Sequence, residues 1–310
     1  MHLATDFGPD HGRAAAVAEA PAVTPGGKPP PALERTRGAA RIGFKLRDGA
    51  TVLADLVQSG AARVRLPRRH AGEIAEAVVI NTSGGLTDGD SLTTEIAWGG
   101  GTTAAVASQA AERIYRSRGA DARIETRLDV GAGAAAFWLP QETILFDGGR
   151  LRRRCVAELG ASARLLAAES IVFGRTAMGE TVTGGSVRER LEIWAGGRLI
   201  WADAFALGGE IAGTLDRPAV GAGARALATL VAAGPDPGRM RDMVRALPAR
   251  EDVRQGATIR GGLVVARLLA SDGTALRPAL VAAIAALKAA LLEDRPDIAR
   301  AEALPRVWAL

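Results

Sequence analysis

The chain has 310 residues, 48% of them hydrophobic and 24% charged, so it can bury a core and is too apolar to be disordered over most of its length. Its 39 basic and 34 acidic residues leave a net charge of +5, which permits an acidic partner without requiring nucleic acid. A single cysteine, Cys155, excludes an internal disulfide, and with only His2, His11 and His70 it cannot complete a His/Cys zinc or nickel cage in one chain.

Residues 1–34 are rich in Pro, Gly and Ala, and Pro29–Pro31 hold the chain extended without backbone donors, so a disordered arm is expected there. Glu19 and the early prolines interrupt any secretory core, and a cytoplasmic protein is expected. Residues 35–310 are expected to form a single domain. From about residue 39 the apolar period is two. Leu92, Thr94, Ile96 and Trp98 share one face, Ile124, Thr126, Leu128 and Val130 repeat the pattern, and so do Val187, Glu189, Leu191 and Ile193. Gly196-Gly197 marks a hairpin, and Gly-Gly or Asp-Gly pairs recur between the runs. The fold class is therefore dominated by β-structure, either a sandwich or strands coiled into stacked layers, with no fixed-period repeat. Thr102–Ala111 and Ala224–Ala233 suit helices by alanine propensity, but their glycine flanks favour strands. About two helices are expected near the C-terminus. Asp236–Leu247 opens on Asp-Pro. Leu276–Glu293 has Leu280, Ile284, Leu287 and Leu291 at helical spacing, with Pro278 in its first turn. The apolar stretch Leu276–Leu292 is short for a bilayer span. The closing Leu304–Leu310 reads as an extended strap.

Four segments stand apart from this background. Asn81–Asp90 (NTSGGLTDGD) is a glycine-rich turn that can bring Asp88 and Asp90 together. It lacks the lysine of a phosphate loop and the ligand spacing of an EF-hand. Gln109–Ser117 (QAAERIYRS) holds the only tyrosine, Tyr115, between Arg113 and Arg116, a pairing that suits an acidic protein face or a phosphate backbone. Trp138–Asp147 (WLPQETILFD) carries Glu142 and Asp147 on opposite faces if it is a regular strand, so one of them points inward. Phe173–Glu180 (FGRTAMGE) follows Glu169, which is flanked by apolar residues, as is Glu189. Inward acids are either hydrogen-bonded or line a wet interior path. The two Gly-Ala-Gly runs at 131 and 221 lack a βαβ setting for a dinucleotide. With His70 the one histidine of the folded region, a Ser/His/Asp triad is hard to assemble. A carboxylate pair of Glu142 with Asp147 or Glu169 leaves a hydrolase open, and the arginines leave a nucleic-acid binder open.

In order and identity these four segments resemble the urease accessory protein UreD (UreH) family. Arg190–Trp194, Thr229–Val231 and Leu304–Trp308 extend the likeness over about residues 38–310. The resemblance implies an elongated, helically stacked β domain and a non-catalytic scaffold. Such a scaffold binds UreF, the GTPase UreG and the urease apoprotein, and helps deliver nickel to the urease site. It also implies an internal acid-lined passage, for which Asp90, Glu142, Asp147 and Glu169 are the candidates, with Ni²⁺ in transit and no tightly bound cofactor. Oxygen donors suit passage because they hold nickel more weakly than imidazole or thiolate. Asp88 departs from the glycine usual in the family. Arg113, Tyr115, Arg116 and Trp308 are the candidate partner contacts.

Overall fold

The structure, a computed structural model, describes residues 34–70, 72–295 and 304–308. Apart from Glu34, the residues expected to form the N-terminal arm lie outside them. The strands are β1 (Arg37–Arg47), β2 (Ala50–Gly60), β3 (Ala62–Arg65), β4 (Ala75–Asn81), β5 (Ser91–Trp98), β6 (Thr103–Ser108), β7 (Glu112–Ile114), β8 (Ala122–Val130) and β9 (Ala135–Leu139). They continue with β10 (Thr143–Leu145), β11 (Arg150–Leu159), β12 (Arg164–Phe173), β13 (Ser186–Ala195) and β14 (Arg198–Gly208). Then come α1 (Ile211–Asp216), β15 (Ala226–Ala233), α2 (Pro237–Arg245), β16 (Val253–Arg260), β17 (Leu263–Ala270) and α3 (Gly273–Leu292).

Two sheets are stacked. The outer sheet runs β14-β13-β11-β8-β5-β1-β2, and the inner sheet runs β16-β17-β15-β12-β9-β6-β4-β3. From β4 to β13 successive long strands alternate between the sheets, so the chain winds in solenoid-like turns and strands of successive turns pair in parallel. Equivalent residues form rungs. Ile42, Ile96, Leu128, Ala157 and Ile193 face one another in line, and all are buried between the sheets. The alternation read in the sequence is the outer sheet, which has one face in solvent. The steps from Ser91 to Arg123, Arg152 and Arg188 along this sheet are 32, 29 and 36 residues, and this unevenness hides the repeat.

The inner sheet is covered on both faces, so its strands lose the alternation. Every residue of Ala135–Leu139 is buried, as are Thr103–Ala107. This settles the alanine-rich stretches as strands β6 and β15. Alanine fits there because an interleaved sheet packs against the outer sheet on one side and against α2 and α3 on the other.

The two helices expected near the C-terminus are α2 and α3, and among the described residues a third, the short α1, precedes them with too few apolar positions to signal itself. Helix α3 begins three residues earlier than expected. The Asp272 carboxylate accepts from the Ala275 amide at 2.8 Å and caps it, which puts Pro278 in the second turn. At 20 residues, α3 is long and apolar enough by composition to cross a membrane, which corrects the shorter span read from the sequence. In this fold it lies on the inner sheet, burying Leu276, Leu280, Ile284, Leu287 and Leu291.

Candidate functional site

The four distinctive segments are equivalent corners of successive turns. Leu86 bridges Ile114 in parallel, Ile114 faces Leu145 in the β7–β10 pair, and Leu145 faces Phe173 in the β10–β12 pair. All four are at most 1% exposed, and they form the spine of a third apolar cluster. Each segment thus supplies one rung of a third, narrow face. Outside the rung, Tyr115 meets Phe146 edge-on at 5.0 Å between centroids, and the Arg175 guanidinium sits 4.5 Å over the Phe146 ring. The Tyr115 hydroxyl donates to the Gly84 carbonyl at 3.1 Å. Gly85, at φ +148°, must stay bare because a Cβ there would meet the tyrosine ring at 2.4 Å.

The acids of this corner hold backbone. Asp90 is buried and accepts from the Thr36 amide at 2.7 Å and the Thr87 amide at 2.9 Å. Asp88, at φ +29°, accepts from the Ala120 amide, the Ser117 hydroxyl and Arg35, each at 3.0 Å. The Ala120 amide chiefly holds its carboxyl below the usual range. Asp147 accepts from the Thr183 amide (2.8 Å), the Thr183 hydroxyl (3.0 Å) and the Gly184 amide (3.0 Å), and pairs with Arg116. Partial burial works to raise its pKa, but the Gly184 and Thr183 donors overcome this and leave it lowered. Glu180 ties the Arg175 amide and guanidinium at 3.0 and 2.9 Å.

Glu112, at the start of β7, accepts from the Asn81 side-chain amide at 3.0 and 3.2 Å, which joins the first two segments. Burial pushes its carboxyl up to about 7, against the smaller opposing effects of Asn81 and Arg113. Between the usual 4.5 and about 7 the folded chain therefore binds this proton more tightly than the unfolded chain, and stability falls as pH rises through that window. Glu112→Gln keeps the acceptor for Asn81 and removes the proton. Its urea midpoint relative to the parent should rise between pH 5 and pH 8, by the equivalent of up to about 3 kcal/mol. A difference that is flat across pH would refute the assignment.

A second cluster lies between the sheets. Arg153 on β11 is buried with its guanidinium between two carboxylates, Glu169 on β12 at 2.7 Å and Glu189 on β13 in closer contact. The Trp138 indole donates to Glu169 at 2.8 Å, and Arg153 donates to the Thr143 hydroxyl at 3.0 Å. Burial opposes the arginine's charge, and the two carboxylates outweigh it and hold its pKa up. Burial also pushes the Glu189 carboxyl up despite Arg153. Both carboxylates line a cavity of about 170 Å³ that reaches Asp203, Arg267 and Thr229. Cys155 borders it, its thiol pushed up by burial and by Glu169, so it is a poor nucleophile.

The four acids expected along a passage do not share a cavity. Only Glu169 reaches the inter-sheet space. Asp90 and Asp147 spend their oxygens on amides, and Glu142 is half-exposed, 3.5 Å from Arg277 on α3. Neither Glu142 nor Asp147 lies in regular strand, because β10 covers only Thr143–Leu145, so the two-face argument does not apply to them. Among the described residues no group of three or more His, Cys, Asp or Glu is spaced to hold a metal ion. Arg153, the partner that organises Glu169, was missed in the sequence, although Leu151, Arg153, Cys155 and Ala157 alternate onto one inward face.

Of the expected partner contacts, Arg113, Tyr115 and Arg116 are on the surface. Trp308 is not, being 5% exposed with its indole donating to the Leu139 carbonyl at 2.9 Å. Of the expected strap Leu304–Leu310, residues 304–308 are described, and Arg306–Trp308 form a 3₁₀ turn rather than extended chain. Gln141 donates to the Val307 carbonyl at 2.9 Å and Arg277 covers the Trp308 ring at 5.0 Å, fixing the turn to α3 and the inner sheet.

The UreD urease accessory protein family matches residues 36–309, spanning all four corners and both sheets. The chain is 41% identical to the urease accessory protein UreD of Azorhizobium caulinodans, covering 90% of this chain and 98% of that protein. It is 41% identical to the UreD of Chelativorans sp. (strain BNC1) over 91% of this chain and 96% of that one, and 42% identical to the UreD of Methylobacterium sp. (strain 4-46) over 90% and 96%. These matches put it among the urease accessory proteins. Within them, it belongs to the UreD family.

Proposed function

We propose that this chain is a non-catalytic scaffold of urease maturation in the cytoplasm, binding UreF, the GTPase UreG and the urease apoprotein while nickel is delivered to the urease site. The family match over nearly the whole folded chain carries this reading. The corner chemistry supports it, since four stacked segments of the family's likeness converge on one surface and their acids hold the loops rather than a substrate. Any step driven by GTP falls to a partner, because the chain has no phosphate-binding loop. If nickel passes through this chain, Glu169 and Glu189 are the oxygens it meets between the sheets, and Arg153 must yield them. A hydrolase built on Glu142 and Asp147 has no support in the geometry, because the two carboxylates serve different neighbours.

The test is co-expression of the tagged chain with UreF, UreG and urease subunits, followed by metal analysis of the urease. The scaffold reading expects a co-purifying complex and urease that carries nickel only when this chain is present. Equal nickel loading without it would end the reading.

A further inference from the structure

Around Arg113, Tyr115 and Arg116, already candidate partner contacts, the third face presents a wider surface. Met178 is 76% exposed, an unusual place for a side chain that is mostly buried in folded proteins. It stands in a 3₁₀ turn, Thr176–Met178, closed by Gly179 at φ +71°. This turn is the corner of the last solenoid turn, next to the stacked Arg175, Phe146 and Tyr115. The turn is braced: Glu180 accepts from the Arg175 amide and guanidinium, and the Gly179 amide returns to the Thr176 carbonyl at 3.0 Å. Because the turn is already fixed, covering this methionine costs side-chain rotamers but little backbone freedom.

Charge around it is one-sided. Arg113, Arg116, Arg118 and Arg175 all present exposed side chains along the same corners. Arg113 and Arg118 make no ion pair among the described residues. Asp147 pairs with Arg116 and Glu180 with Arg175 while they and Asp88 also accept backbone amides, so the outward guanidinium charge left over is that of Arg113 and Arg118, beside the aromatic edge and the thioether. Arginine, tyrosine and methionine are enriched where proteins meet, and an apolar anchor ringed by charge is the usual anatomy of a binding centre.

We infer that this corner, Tyr115, Phe146, Arg175 and Met178 with Arg113 and Arg118 at its rim, docks a protein partner that presents carboxylates around an apolar side chain. The inference rests on the scaffold reading and goes beyond it by assigning the surface and the partner's chemistry. A nucleic acid fits less well, because the exposed Met178 thioether at the centre offers a phosphate backbone neither a charge nor a hydrogen-bond donor.

The experiment captures urease apoprotein, UreF and UreG on the tagged chain from lysate of a co-expressing cell, with and without nuclease treatment. Met178→Asp and the double variant Arg113→Glu with Arg118→Glu are compared with the parent and with Leu199→Asp, an exposed position on β14. Both corner variants should retain about tenfold less of one and the same component, the loss expected when an interface anchor is removed. Leu199→Asp should retain it in full. Parent capture should weaken as salt rises, and the double variant should lose that dependence. Full retention of every component by either corner variant overturns the surface while leaving the scaffold standing. Capture by the parent that disappears with nuclease overturns it in favour of nucleic acid. A parent that captures nothing removes the scaffold reading itself, and this surface with it.

Discussion

Arg153→Met should destabilise the folded chain by about 3–5 kcal/mol at neutral pH, the cost of leaving buried carboxylates without their counter-charge. In a chain of this length that lowers Tm by roughly 5–15 °C. Methionine fills much of the space of the arginine stem, so the loss is electrostatic rather than a cavity. Its pH dependence follows from that. Without the guanidinium, Glu189 keeps the burial that pushes its carboxyl up and loses the charge that opposes this push, so its folded pKa rises further above the unfolded 4.3 or so. The penalty is absent below the unfolded value, because both states are then protonated. It grows as pH rises until the raised folded value is passed. The deficit against the parent should therefore be small near pH 4 and full by pH 8. Adding Glu169→Gln and Glu189→Gln should restore most of the stability, because an uncharged cluster needs no counter-ion. A deficit under about 1 kcal/mol, or one equal at both pH values, would show that the triad is not the electrostatic unit described here.

Trp308→Ala should cost about 3–5 kcal/mol. The indole is one of the few large side chains packed between the inner sheet and α3, and its N–H satisfies the Leu139 carbonyl. Removing it opens a cavity, strands that carbonyl and takes the ring from beneath Arg277. Trp308→Phe should separate these effects, losing about 1 kcal/mol for the hydrogen bond while keeping most of the packing. Urea unfolding of the three chains checks the order. A Trp308→Ala chain as stable as the parent, yet unable to hold its partners, would return Trp308 to the surface role first expected of it.

The outer sheet was legible in the sequence because one of its faces is wet, and alternation is the mark of such a strand. In the inner sheet burial on both faces erases the period and alanine is equally at home in a helix, so β6 and β15 were legible only through their glycine flanks. The stacking of the four corners also escaped detection, since Leu86, Ile114, Leu145 and Phe173 recur at unequal steps in segments with no common pattern of letters. Their importance could be read from the resemblance, but their equivalence needed the strand pairing. For the acids, local company decided the outcome. Glu169 sits in a long regular strand, so its apolar neighbours correctly put it inside. Glu142 and Asp147 flank a three-residue strand, where alternation has no length over which to act. Asp90, a passage candidate through the resemblance, lies in the glycine-rich turn its segment indicated, its oxygens used by its own loop and the start of β1.

At either end of the outer sheet the parallel ladder stops at a strand that doubles back, β2 at one end and β14 at the other, and a bulge bends each hairpin at Gly43/Phe44 and Ile193/Trp194. Another copy approaching either margin would meet a kinked strand of reversed polarity and could not add itself as the next rung. Both margins of the outer sheet are thus blunted against edge-to-edge pairing, a guard that a long stack of parallel strands needs against aggregation.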